Sequence, residues 1–166
     1  RVEPEGHTVR AEVIGGTSDI SAGQLVDRAG LLLGLPFPAG KALDGLYPEA
    51  DGAGFFRVKL NGLTFSLSGM ENKVKELAEK GEKPANVARF TIDTITDVLL
   101  RATREAQRKW PGLPVLCSGG VASNRQIRAA MERACGGVFA QPQYATDNAL
   151  GVAILAHRAL ERGIPG

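Results

Sequence analysis

The sequence predicts an α/β domain, a mixed sheet with flanking helices. Three observations carry that expectation. Helical-period runs alternate with short apolar segments through the second half, giving helix, strand, helix, strand, helix. Alternating residues and an Asn-Gly dipeptide place antiparallel hairpins in the first half. The chain has 166 residues, 43% hydrophobic and 23% charged, which suits one domain with a full core and argues against disorder.

Taken in order, residues 1–15 read as a hairpin, with alternation over Val9-Arg10-Ala11-Glu12-Val13 and turn chemistry at Pro4-Glu5-Gly6. Thr17-Ser18-Asp19 offers an N-cap. Ile20, Ala22, Leu25, Val26, Ala29, Leu32 and Leu33 then recur at helical spacing, and Gly34 stops the helix ahead of Pro36 and Pro38. Residues 35–54 read as a loop with a short helix near Ala42. Strands are expected over residues 55–60 and 63–67, joined by Asn61-Gly62. Ser68 is expected to cap the helix that follows, which runs over about residues 71–80.

Residues 86–110 form the longest periodic run, closed by Pro111-Gly112. A short strand over 114–117 leads through Ser118-Gly119-Gly120 into a helix over 122–134, with Ser123 as its plain cap. Gly136-Gly137 breaks that helix, a second strand covers 138–140, and Thr146 caps a last helix that ends near Gly163. The two late strands should be parallel, joined by a right-handed crossover.

The formal net charge is +2, from 20 basic and 18 acidic residues, too balanced to argue for nucleic acid by electrostatics alone. Arg101, Arg104, Arg108 and Lys109, beside Trp110, read as a solvated helix face. Cys117 and Cys135 form no Cys-x-x-Cys pair, which fits a reducing, cytoplasmic setting. No apolar run is long enough to span a bilayer, so no membrane partner is expected. The first residues hold no signal-peptide h-region, and the chain opens in a strand without a Met, so it is expected to be part of a longer protein.

Three places could carry chemistry. At Cys117-Ser118-Gly119-Gly120-Val121-Ala122-Ser123-Asn124 a strand meets two glycines and a helix. There a ligand can approach the backbone, and Asn124 would point an amide into the crevice above the strand end. An ordinary turn capped by Ser123 explains the pattern equally well. At Tyr144-Ala145-Thr146-Asp147-Asn148, Thr146 caps a helix and Asp147 follows at its first position. Asp147 is a helix-dipole carboxylate or, with ligands from elsewhere, a metal ligand. His7 and His157 are poor partners for it by position. On the helix after Ser18, Gly23, Gln24 and Asp27 share one side, and Gln24 and Asp27 can reach a common point such as a sugar hydroxyl. A solvated face is the default there. The loop Pro36-Phe37-Pro38-Ala39-Gly40 could wall a pocket beside it.

Together and in order, five segments resemble the TsaD (glycoprotease-like) family. They are Ser18-Asp19-Ile20-Ser21-Ala22-Gly23-Gln24-Leu25-Val26-Asp27, Leu33-Gly34-Leu35-Pro36-Phe37-Pro38-Ala39-Gly40, Phe65-Ser66-Leu67-Ser68-Gly69, Gly119-Gly120-Val121-Ala122-Ser123-Asn124 and Thr146-Asp147-Asn148. The resemblance implies the actin-like, ribonuclease-H-like ATPase fold (the ASKHA class), and that residues 1–166 form the single carboxy-terminal nucleotide-binding subdomain. It implies transfer of a threonylcarbamoyl group from an adenylate to a tRNA adenosine. Carried over by position, Asp27, Gly40 and Asn124 would hold the nucleoside, with Gly23 and Gln24 beside it. Gly119 and Gly120 would let backbone approach it, and Asp147 would ligate a divalent metal, iron or zinc.

The partners implied are ATP or an acyl-adenylate, an amino-terminal subdomain, a TsaB-like protein or a second copy, and tRNA. Departures from the family pattern point to a divergent bacterial paralogue. There is no His-x-x-x-His segment, Gln24 stands for the usual Glu, and Ala149 for the usual Gly after Thr-Asp-Asn. The alternatives are a non-catalytic scaffold and a kinase-like ATPase of the same superfamily. A protease reading has no support, because no activated Ser or Cys and no zinc-protease helix is present.

Overall fold

The computed structural model describes residues 1–5, 8–52, 54–141 and 149–161. It is an α/β arrangement in which helices carry the core and the strands fall into three small sheets. One long helix, α4 (Pro84–Lys109), is the axis. Around it pack α1 (Ala22–Leu32), α2 (Gly40–Leu46), α3 (Ser68–Glu79) and α5 (Arg125–Cys135). Its buried residues, among them Val87, Ala88, Thr91, Ile92, Ile95 and Val98, recur at the helical period that the sequence displayed. Leu25 of α1, Leu43 of α2, Leu67 just before α3 and Met70 of α3 meet them with 0% exposure, and Ile127 of α5 joins them at 2%. Pro84 opens α4 at a position where its missing N–H costs nothing.

The hairpin appears as β1 (Val2–Glu5) antiparallel to β2 (Thr8–Ala11), with Val2 opposite Ala11 and Glu5 opposite Thr8. Pro4 sits inside the strand opposite Val9, on a two-stranded ribbon that has edges to spare for a residue without an N–H. The second sheet is mixed. β3 (Gly16–Thr17) runs parallel to β5 (Thr64–Phe65), and β4 (Leu60–Asn61) is antiparallel to β5 across the turn at Gly62, whose φ is +61°. The third sheet pairs β6 (Leu116–Cys117) with β7 (Val138–Phe139) in parallel, with α5 as the connection, as the late pattern predicted. The last helix, α6, spans Ala149–Glu161, and its expected cap Thr146 lies outside the described residues. Among the described residues no helix is long and apolar enough to cross a membrane.

Several local expectations move. The strand expected over 55–60 survives only at its end, because its backbone bonds to α4. The Phe56 N–H donates to Thr94 Oγ1 at 2.8 Å, and Arg101 donates to the Val58 carbonyl at 2.7 Å. The cap of α1 is Ser21, not Thr17-Ser18-Asp19. Ser21 Oγ accepts from the Gln24 N–H at 3.1 Å, and Gln24 Oε1 accepts from the Ser21 N–H at 2.8 Å, a reciprocal capping box. Ser68 does not cap α3; it is the first helical residue. Asp19 does that work from across the sheet, accepting from the Leu67 N–H at 2.9 Å, the Ser68 N–H at 3.3 Å and the Ser66 hydroxyl. The helix expected over 122–134 begins at Arg125, after a 3-10 turn over Val121–Ser123, and its cap is Asn124 rather than Ser123.

Candidate functional site

The local structure of three separated segments makes one cavity of about 460 Å³, within the range of small-molecule sites. α1 contributes Gly23, Val26 and Asp27. The loop and α2 add Pro38, Gly40, Lys41, Leu43 and Asp44, and the 3-10 turn and α5 add Gly120, Val121, Ser123, Asn124 and Ile127. Ile92 of α4 forms the floor. The walls are largely apolar, with a few polar groups at fixed points.

Those points are set by backbone capping. The Ala39 N–H, at the start of α2, donates to Asp27 Oδ1 at 2.9 Å, tying α1 to the loop. Asp27 Oδ2 makes no hydrogen bond among the described residues. Asn124 Oδ1 accepts from the N–H groups of Gln126 and Ile127, both at 3.0 Å. Asn124 Nδ2 donates to Asp44 Oδ1 at 3.0 Å, and Arg125 Nε donates to Asp44 Oδ2 at 2.6 Å. The Asp44 side chain is only 13% exposed, and these bonds tie α2 to the start of α5. The glycines keep the walls thin. A Cβ on Gly40 would meet only Val26 at 3.9 Å, and one on Gly120 would meet nothing within 4 Å. Gly119, at φ +99°, holds a conformation that disfavours side chains and turns the chain from β6 into the cavity wall.

Five residues singled out by sequence therefore converge: Gly23, Asp27, Gly40, Gly120 and Asn124. Two others stand apart. Gln24 does not reach a point shared with Asp27, because its side chain closes the α1 capping box, and Gly119 shapes the turn without lining the cavity. Asn124 does not point a free amide into the crevice; both ends of its side chain are engaged. Sequence reasoning missed Lys41, Asp44 and Arg125. A signal existed: Gly40 and Asp44 are four apart on a short helix and so share a face. No His or Cys is among the described residues that line the cavity. Cys117 is half-buried and Cys135 buried, and burial pushes both thiols up, away from reactive thiolate character.

The metal candidate Asp147 lies outside the described residues. Among the described residues no three His, Cys, Asp or Glu side chains gather to hold an ion. His157, the described histidine on α6, faces Glu161 at 3.3 Å on an exposed turn.

The sequence model of the family described as TsaD, tRNA N6-adenosine threonylcarbamoyltransferase, matches residues 6–154. This chain belongs to the TsaD family. Curated relatives named tRNA N6-adenosine threonylcarbamoyltransferase agree. The protein of Chlorobium luteolum is 34% identical over 191 aligned residues, covering 96% of this chain and 55% of the relative. One from Thermus thermophilus is 34% identical over 164, covering 94% and 50%. That of Bacillus subtilis is 34% identical over 174, covering 93% and 49%. The chain thus spans about half the length of the curated relatives it matches. The TsaD match takes in every described segment of the cavity wall.

Proposed function

We propose that this TsaD-family chain is the nucleotide-holding half of a threonylcarbamoyl transferase. In this reading the cavity between α1, α2 and α5 takes the adenosine of ATP or an acyl-adenylate, and the whole protein passes the acyl group to a tRNA adenosine. One observation carries it: Asp27, Gly40 and Asn124, far apart in sequence, line a single apolar cavity of nucleoside size. The uncommitted oxygen of Asp27 accepts a ribose hydroxyl. Gly40 and Gly120 let the flat base lie against backbone. Val26, Ile92, Val121 and Ile127 exclude water around it. Asn124 acts at one remove, by capping α5 and holding Asp44 in the wall.

The same reading places this unit as the carboxy-terminal subdomain of an actin-like ATPase fold. An amino-terminal subdomain, a TsaB-like partner or a second copy, and tRNA supply the rest. The chain alone binds without turning over.

Gly120 supplies a clean test. Its φ of −59° suits any residue, and a side chain there would enter open space rather than protein. Gly120→Leu is therefore expected to fold normally and lose ATP binding by at least about tenfold in calorimetry. Asp27→Ala is expected to lose about tenfold through the missing ribose contact. Unchanged affinity in the well-folded Gly120→Leu protein would remove the cavity from the mechanism. A stoichiometric complex with a partner and no nucleotide affinity in the parent chain would assign it a scaffold role.

A further inference from the structure

Helix α4 carries charge as well as core. Arg101, Arg104, Glu105 and Arg108 recur at helical spacing along its last turns, so they share one stripe. With Leu60 and Gln107 they line an open groove of about 620 Å³. The stripe is not the plain solvated face that spacing alone suggests. The Arg101 side chain is only 21% exposed, and its Nη2 donates to the Val58 carbonyl and to Asp97 Oδ2, both at 2.7 Å. That bond holds residues 57–60 alongside the helix. Val58 is buried there, and its neighbours Arg57 and Lys59 are exposed. Arg57, Lys59 and Arg104 have neither a hydrogen bond nor an ion pair among the described residues. Asp97 pairs with Arg101, and Glu105 with Arg108. Five cations and two acids leave an excess of three on this face, where the whole chain carries only +2. The helix dipole accounts for Arg108 in the last turn of α4, but not for Arg57 and Lys59, which arrive from another segment.

We propose that this groove and its rim are a docking surface for the phosphate backbone of RNA, through which this half of the protein holds tRNA. The inference rests on the reading of the whole protein as one that acts on tRNA, and adds the face that meets it. Guanidinium forks match phosphate oxygens, and Lys59 adds a point charge on a flexible stem. Arg101 to Arg108 covers about 10 Å of helix, long enough to follow more than one phosphate of a strand. Among the described residues lining the groove only Leu60 is apolar, so it lacks the apolar core of a protein-binding patch. None is aromatic, so bases have nothing to stack on and the contact positions RNA without reading its sequence. Arg104 lies twelve residues along α4 from Ile92, the cavity floor, a rise of about 18 Å. RNA on this face therefore leaves the nucleotide cavity open.

The test is fluorescence anisotropy of a labelled, unmodified tRNA transcript titrated with the 166-residue chain over a series of salt concentrations. Three proteins are compared: the parent, Lys59→Gln with Arg104→Gln, and Lys73→Gln with Lys75→Gln on α3. Both pairs remove two exposed cations, so they change net charge equally. Lys59 and Arg104 have no partner in the fold to lose, so the melting temperature should match the parent. The Lys59/Arg104 pair is expected to weaken tRNA binding about tenfold at low salt and to reduce the salt slope by about two, while the α3 pair binds like the parent. Calorimetric ATP affinity should be the same in all three. Equal loss in both pairs, or none in the Lys59/Arg104 pair, overturns the assignment of this face. Absence of tRNA binding by the parent overturns it too. Displacement of the tRNA by polyglutamate or anionic vesicles as readily as by unlabelled RNA would make the face a site for acidic protein or membrane and overturn it likewise. If the parent binds tRNA through these residues but takes up no ATP, the nucleotide reading of the cavity fails and this surface stands.

Discussion

Asp19 is the most heavily bonded exposed carboxylate of the described residues. It accepts from Ser66, Leu67, Ser68, Thr17 and Ile20, and so pins β3 and the entry to α1 against the start of α3. The Ser66 hydroxyl first, and then the Leu67 N–H, hold its carboxyl well below the usual carboxylate range. A folded-state pKa below the unfolded value of about 3.9 means that this contribution is complete above that pH and fades as pH falls below it. Asp19→Asn is therefore expected to lower the urea midpoint at pH 7. The difference from the parent should shrink steadily as the pH is taken from 5 towards 2; a gap that stays constant across that range would separate Asp19 from the acid response. Asn124→Ala tests the other capping residue. It should cost about 1 kcal/mol in urea unfolding from the lost cap of α5. It should also weaken nucleotide binding, since Asp44 loses one of its two anchors. At this scale sequence spacing selected residues better than it assigned atoms. Ser21-x-x-Gln24 is a readable capping box, yet Thr17-Ser18-Asp19 read equally well as a cap, because the groups that claim Asp19 lie more than forty residues away, at Ser66 to Ser68.

Elements with a long apolar period were legible, and elements defined by their partners were not. α4 follows from its own residues, since a 26-residue helix repeats its buried face often enough to be seen. The segment over 55–60 alternates like a strand, but the Thr94 hydroxyl and Arg101 on α4 take its backbone groups, and nothing in its own sequence announces them. The crossing of α1 and α2 was equally hidden. A Cβ on Gly30 would lie 2.1 Å from the Ala39 Cβ, so the two elements touch through a glycine. Gly30→Ala gains helix propensity of up to about 1 kcal/mol, but a rigid Cβ against a rigid Cβ has no rotamer to escape through. The clash wins, with an expected net loss of about 1–3 kcal/mol in denaturant unfolding. The same push moves Ala39 off Asp27, so nucleotide affinity should fall along with stability. Normal stability with normal affinity would show that the α1–α2 contact yields without strain.

For the whole molecule, the cavity is where elements far apart in sequence meet around one core. Its walls come from α1, α2 and α5, and its floor is Ile92 on the central helix, itself 1% exposed. A ligand seated there adds contacts that the unfolded chain lacks and couples these elements through α4. Binding linked to folding stabilises by about 2.7 kcal/mol when the ligand stands at 100 times its dissociation constant. For a domain of this size each kcal/mol moves the melting temperature by roughly 2–4 °C. Adenosine monophosphate at that excess is thus expected to raise the melting temperature of the chain by about 5–10 °C, read by scanning calorimetry. The rise should vanish in Gly120→Leu, whose side chain occupies the ligand's place while leaving the fold's own contacts intact. A comparable rise in that variant would mean that the nucleotide stabilises the protein from some other surface. The converging residues around the cavity would then serve packing alone: Asp27 as a clamp on Ala39 and Asn124 as the cap of α5.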